Sequence, residues 1–405
     1  NNNDNNNEGS GLYAEISGQS SNISISGFTE FINCSGAERG GGLYILYSAS
    51  GYNQSGTVLL DQVSLSQCTA KNGSGIYSLL KDQGKLTIRN SNFSQCSTTT
   101  QHGGGLFIDA SGNGTEISLT NSVLFDNCRS EEDGGAIYMK LYNYALADLW
   151  GVKFIGCQSV NGNGGGICAY IQSSGKLHLH NLVNFTGCVC DNKNGGGIYA
   201  QVSGNSSIST RSSLELSNQV YFDNCKSSKN NGGGIYAKVE YPATLSISET
   251  NISGCQAQSG GGFSNSGGGI CILIHQKVKF SISNTNIIGC YCTSASGNGG
   301  GIYTEIQGDN ISNLNTLFEL NSTVIKTCNS QGQGGGIYTK MNYMCQLIIR
   351  NATFSGCKSA SPTQGKGGGI FADISSTGSL LSICDKSQFI SCTSEQDGGG
   401  IYALV

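Results

Sequence analysis

Apolar and polar residues alternate in short bursts along this chain, and the bursts recur. In Ile198-Tyr-Ala200-Gln-Val202, Ile302-Tyr-Thr304-Glu-Ile306 and Ile370-Phe-Ala372-Asp-Ile374, every second residue is apolar or small. A period of two is a strand signature, because successive side chains of a strand point to opposite faces. The fourth position is usually polar or charged (Glu15, Asp109, Lys140, Gln201, Lys238, Glu305, Lys340, Asp373). The pattern predicts Ile, Ala and Val inward, with the Tyr and the charged residue outward. A second apolar run follows, as in Leu86-Thr-Ile88, Leu177-His-Leu179, Leu245-Ser-Ile247 and Leu347-Ile-Ile349. A third mark is an aromatic or aliphatic residue three positions before a Cys, as in Phe125-Asp-Asn-Cys128 and Phe154-Ile-Gly-Cys157. Gly, Asn and Ser separate the three, so each unit reads as three short strands joined by turns.

The unit repeats along the whole chain. A Gly-Gly-Gly-Ile-Tyr type motif begins at Gly9, Gly40, Gly73, Gly103, Gly134, Gly164, Gly195, Gly232, Gly267, Gly299, Gly334, Gly367 and Gly398. One unit cannot bury its apolar face alone, whereas stacked units pair equivalent strands in parallel around a continuous core. No unit carries a helical period, which excludes leucine-rich and helical repeats. The expected fold is all-β: a single-stranded parallel β-helix of about 12–13 coils of about 31 residues, a rod roughly 60 Å long. Residues 1–8 form a polar, Asn-rich lead-in, and 9–405 one continuous solenoid that is part of a longer one. The Gly triplet suits turns that stack about 4.8 Å apart, where only Gly takes positive φ and passes without a Cβ clash.

Gly134-Gly-Ala-Ile137 and Phe125-Asp-Asn127 match the Gly-Gly-Ala-Ile and Phe-x-x-Asn repeats of chlamydial polymorphic outer-membrane proteins, which this chain resembles over its whole length. The fuller Gly-Gly-Gly-Ile-Tyr-Ala form with its Cys is similar to repeat surface proteins expanded in protozoa. The resemblance implies a β-helical surface protein acting in adhesion or coat structure. The chain departs from the chlamydial pattern in lacking a C-terminal translocation barrel and in often placing Cys one position after the Asn site. An autotransporter mechanism is therefore not carried over.

Composition adds compartment. There are 18 Cys and only 12% charged residues, about half the usual share of charge. The sequons Asn22, Asn53, Asn72, Asn113, Asn184, Asn205, Asn251, Asn310, Asn321 and Asn351 are candidates for N-glycosylation, with Asn92 and a crowded Asn33 also fitting the pattern. Many sequons arise by chance in an Asn/Ser-rich chain, but with the cysteines they favour a secreted, surface-located glycoprotein. A net charge of −4 without a basic cluster gives no footprint for nucleic acid, and no apolar run is long enough to span a bilayer.

Twelve cysteines fall once per coil: Cys34, Cys68, Cys96, Cys128, Cys157, Cys188, Cys225, Cys255, Cys290, Cys328, Cys357 and Cys392. They are expected to form a ladder, either of buried thiols or of disulfides between consecutive coils; a metal column lacks a second ligand type. Cys168 and Cys271 replace the Tyr of their motifs, and those two repeats alone carry Cys-x-Cys, at Cys188-Val-Cys190 and Cys290-Tyr-Cys292. The coincidence predicts disulfides Cys168–Cys190 and Cys271–Cys292. Cys345 and Cys384 fall at other offsets and are left unpaired.

The column Tyr13, Tyr44, Tyr77, Phe107, Tyr138, Tyr199, Tyr236, Tyr303, Tyr338, Phe371 and Tyr402 admits two readings. It is a stripe for glycan stacking or for a neighbouring rod, or it is self-stacked under the turns. Catalysis finds little support, because carboxylates are spread singly; no cofactor is expected. His178 and His180 share an outward face but lack a third metal ligand. The chain begins at Asn1 without a signal pattern and stops at Val405 in a strand-like run, so it reads as a trimmed piece. The absence of caps at either end predicts further coils, or self-association head to tail or side by side. The expected function is an extracellular structural or adhesive element, in one form a fibre subunit. The alternatives are a monomeric glycan-binding stalk engaging a host or cell surface and, third, a carbohydrate-active enzyme.

Overall fold

The structure, a computed structural model, is described for residues 9–17, 20–36, 38–48, 56–204, 210–258, 266–308 and 316–405. The sequons Asn53, Asn205 and Asn310 and the lead-in 1–8 lie outside the described residues. Strands and turns make up the described chain, without a helix. All strand pairs are parallel, and each strand pairs with its equivalent in the next coil, as Leu106↔Ile137↔Ile167↔Ile198. The chain is a β-solenoid of about twelve turns with three sheets running along its length.

The first strands, such as Ile137–Tyr142, form a thirteen-stranded sheet. Their first, third and fifth residues enter the lumen: Ile137, Met139 and Leu141 are fully buried there with Leu149, Phe154 and Cys157 from the other walls. The second apolar run and the Phe mark do not make separate sheets. They join one twenty-two-stranded sheet, bent in each coil where a residue enters the left-handed region, for example Asn121 at φ 55°. The third sheet is built from two residues just after the ladder Cys, such as Gln158–Ser159 and Val189–Cys190. Two residues are too few to show a period, so this wall could not be read from alternation.

The residue before the ladder Cys is consistently left-handed: Asn127 (φ 50°), Gly156 (57°), Asn224 (52°), Gly254 (58°). That corner calls for Gly or Asn, the residues that enter this region at least cost. Asn33 occupies the same corner and is exposed, not crowded as its neighbours in sequence suggested, because the left-handed bend turns its side chain out of the wall.

In the Gly triplet the three positions differ. The first is left-handed, as Gly164 at φ 69°. The second is not, but a Cβ on Gly165 would strike the carbonyl oxygens of Gly196 and Val189 in the next coil. The third faces the lumen, and Ala136 fills it fully buried in one coil. The second place likewise admits Ser74, buried with its Oγ accepting from Ala70 N at 3.1 Å, so only the left-handed first position is Gly in every motif.

Candidate functional site: the aromatic column and the face outside it

Inside the lumen, phenylalanines stack from coil to coil, Phe93, Phe125, Phe154, Phe185 and Phe222 lying 4.5–5.2 Å apart with ring planes within 14°. Beside them runs the Cys ladder. All eighteen cysteines are thiols in the structure, and the ladder members are buried except the half-buried Cys34 and Cys392 near the two ends. The buried ladder thiols reach the backbone oxygen of the preceding coil's third mark: Cys128 donates to Phe93 O at 3.4 Å, Cys157 to Phe125 O at 3.4 Å and Cys188 to Phe154 O at 3.6 Å. A small side chain with a weak donor suits a wall position that must be apolar yet faces a carbonyl. Burial pushes the Cys128, Cys188 and Cys255 thiols well above their ordinary value.

On the other side of the first sheet the tyrosines form a second, separate stack. Tyr13–Tyr44–Tyr77–Phe107–Tyr138, Tyr199–Tyr236 and Tyr303–Tyr338–Phe371–Tyr402 are stacked at 4.4–5.4 Å. These side chains point away from the lumen, yet Tyr44, Tyr77, Phe107, Tyr138, Tyr236, Tyr303 and Phe371 are buried. Tyr199, Tyr338 and Tyr402 are half-buried, and only Tyr13 is exposed. The turns carrying the Gly triplet fold over them. The His102 ring stacks on Tyr138 at 4.5 Å, the Arg39 guanidinium lies 5.3 Å from the Tyr77 centroid, and Lys366 lies 4.4 Å from that of Tyr402. The stripe is therefore a packed layer and not an open adhesive surface, since alternation tells in from out of a strand but not what a turn later covers.

The stack breaks at Cys168 and Cys271. Two residues further along the same strands stand Tyr170 and Leu273, where the other coils mostly carry a polar or charged residue. Tyr170 leans over the gap, tilted 54° to Tyr138 at 5.8 Å and 56° to Tyr199 at 6.1 Å; Leu273 packs into the corresponding cluster. The small Cys and the bulky neighbour compensate in volume, a signal present in the sequence that alternation alone did not isolate. Cys168 and Cys190 are both fully buried and close enough for a charge on Cys190 to raise the Cys168 thiol; Cys271 stands in the same relation to Cys292. Burial pushes Cys190 and Cys292 up to about 12. As a thiol, Cys190 donates to Gly162 O at 3.0 Å, filling the place where Ser159 donates to Glu132 O at 2.7 Å. Cys345 is buried under Tyr343 O at 2.9 Å, and Cys384 sits half-buried against Arg350, so neither meets a partner cysteine.

Turn residues before the triplet make a polar ladder. Asn163 donates its backbone N–H (2.7 Å) and its side-chain amide (3.1 Å) to Asp133 Oδ1, and Asn194 and Asn231 repeat this on Asn163 and Asn194. His180 pairs with Asp148 at 2.8 Å and His178 lies 3.9 Å from Glu215, both on the outward face of the large sheet. Among the described residues no group of three or more His, Cys, Asp or Glu could hold a metal, and no helix is long and apolar enough to cross a membrane. Of the candidate sequons, Asn22, Asn113, Asn321 and Asn351 are exposed, whereas Asn72, Asn184 and Asn251 are half-buried. Asn251 accepts the Asn286 amide at 2.7 Å.

Compared with known proteins, the chain matches no family model, no curated protein and no solved structure.

Proposed function

We propose that this chain is a structural and adhesive element of an extracellular surface, a stiff rod that holds a long outward face at fixed spacing. The observation that carries the reading is the unbroken lengthwise register: the first-strand sheet runs through thirteen strands, backed by Phe, Cys, Tyr and Asn ladders. Such a body resists bending, since every coil is bonded to both neighbours. Five exposed sequons among the described residues support a secreted, glycosylated setting. Such a rod suits packing with copies of itself into a fibre.

Negative-stain electron microscopy with sedimentation of the full chain tests this. Filaments of repeating rods are expected; monodisperse short rods would replace the fibre with a monomeric stalk. Sugar release from polyuronates by the purified protein would instead favour a carbohydrate-active enzyme.

A further inference from the structure

Outside the covered tyrosines, the fourth and sixth residues of each first strand form the outermost layer of that sheet. In three consecutive coils they build a groove of about 380 Å³ whose lining includes Asp109, Lys140, Tyr142, Tyr170 and Gln172. Asp109, Lys140 and Tyr170 stand side by side in register. Tyr142 stands two residues beyond Lys140 on the same face, and Gln172 two beyond Tyr170.

The groove lies beside the break in the aromatic stack at Cys168. The small side chain opens the aromatic stack, and Tyr170 leans into the opening, its hydroxyl 3.5 Å from Asp133 Oδ2. The Tyr142 hydroxyl donates to Asp109 Oδ1 of the previous coil at 2.8 Å, which fixes that ring across two strands. Lys140 Nζ sits 5.7 Å from the Tyr138 centroid, its stem lying along the sheet. Two aromatic rings are thus held at set positions around a carboxylate, an ammonium and an exposed amide, with rotamer freedom already spent before any ligand arrives.

We infer that this groove binds a neutral saccharide. A pyranose ring offers an apolar C–H face to an aromatic ring and hydroxyls that both donate and accept at its rim. Tyr142 and Tyr170 supply the faces; Asp109 accepts, Lys140 donates, and Gln172 does both. One carboxylate and one ammonium leave the lining without net charge, which favours an uncharged sugar over an anionic polymer. The volume lies at the low end of the ~300–1,000 Å³ typical of ligand clefts, so the fit is to one or two sugar units. The position supports it as well: the sequons among the described residues lie on the large sheet (Asn22, Asn92, Asn184, Asn251, Asn321) or in turns and corners (Asn33, Asn72, Asn113, Asn351), never on the outward face of the first sheet. Glycans carried by the chain therefore leave that face open.

The inference deepens the adhesive part of the proposed function, and rod assembly is read by sedimentation, so the two fail separately. Calorimetric titration of the full chain with neutral mono- and oligosaccharides of glucose, galactose, mannose and N-acetylglucosamine is the test, with oligogalacturonate alongside. Binding of at least one neutral sugar is expected, weakened about tenfold by Tyr142→Ala, which removes a stacking face, and by Gln172→Ala. Tyr142→Phe keeps the face and is expected to retain more affinity than Tyr142→Ala. Glu305→Ala, on the same face but outside the groove, leaves it unchanged. If Tyr142→Ala lowers the melting temperature, the exposed Gln172 decides: loss of affinity with unchanged melting supports the groove. Failure of every neutral sugar to bind, binding of oligogalacturonate alone, or affinity unaltered by Gln172→Ala overturns it.

Discussion

At the scale of single residues, the cysteines divide by what surrounds them. A ladder thiol faces a carbonyl of the neighbouring coil and has a role as it stands; Cys168 and Cys190, and likewise Cys271 and Cys292, are buried within electrostatic reach of each other. Closing each pair removes one hydrogen from each thiol, passed to oxygen or to a small-molecule disulfide. The loop closed spans ~22 residues and adds about 3 kcal/mol of stability. We expect a non-reducing proteolytic map of protein purified without reductant to contain Cys168–Cys190 and Cys271–Cys292, with the ladder cysteines alkylated only after denaturation. A map with all four as alkylatable thiols contradicts the pairing. The expectation of a pairing rests on two rare substitutions that coincide twice in one chain; in the structure all four are thiols. The roles of Tyr170 and Leu273 were harder to read, since a bulky residue at an outward position has meaning only once the missing ring beneath it is seen.

At the scale of the element, the turn with the Gly triplet decides whether coils can stack. Gly164 is left-handed at φ 69°, an added Cβ would stand 2.2 Å from the Ile167 carbonyl oxygen of its own turn, and all thirteen motifs carry Gly at this first position. Gly166 faces the lumen, where an added Cβ would stand 2.7 Å from the Gly197 carbonyl oxygen and 2.8 Å from a Phe185 ring carbon, yet Ala136 is accepted at the same place in another coil. Gly164→Ala is therefore expected to cost ~1–3 kcal/mol by forcing a side chain into the left-handed region against its own turn. Gly166→Ala is expected to cost well below that, offset by the lower entropy of the unfolded chain. Urea denaturation of the two variants measures the difference, and equal losses would contradict distinct roles within the triplet. Three identical letters in the sequence do not reveal these roles, because two of them depend on the neighbouring coil's backbone.

For the whole molecule, the buried phenols of the outer stack and several buried thiols are held protonated and act in the same direction on stability. Burial pushes the Cys345 thiol up to about 11, contact with Cys328 holds Cys357 up to about 12, and burial raises Tyr338 to about 12. In the unfolded chain thiols titrate near ~8.5 and phenols near ~10. Raised in the fold, these groups give their full stabilisation below the unfolded values and lose it as pH climbs towards the folded ones. The urea midpoint is expected to be level up to about pH 8 and to fall between about pH 8.5 and 12. A midpoint that holds or rises across that window would show that the thiols and phenols are not sequestered.

The sequence by itself determined the solenoid, because a period of two within each burst and a period near 31 between bursts have one shared solution: parallel strands stacked in register around a lumen. It also determined the column of ladder cysteines and the column of tyrosines, since register follows from repetition. Tertiary structure decided what each column faces. The turn over the tyrosines, the two-residue third wall and the joining of two strand signals into one sheet arise from how successive coils lie on each other. So does the groove at Asp109 to Gln172, which three separate coils build around one missing ring. Such features depend on contacts between residues about thirty positions apart, and no local pattern of apolar and polar positions encodes them.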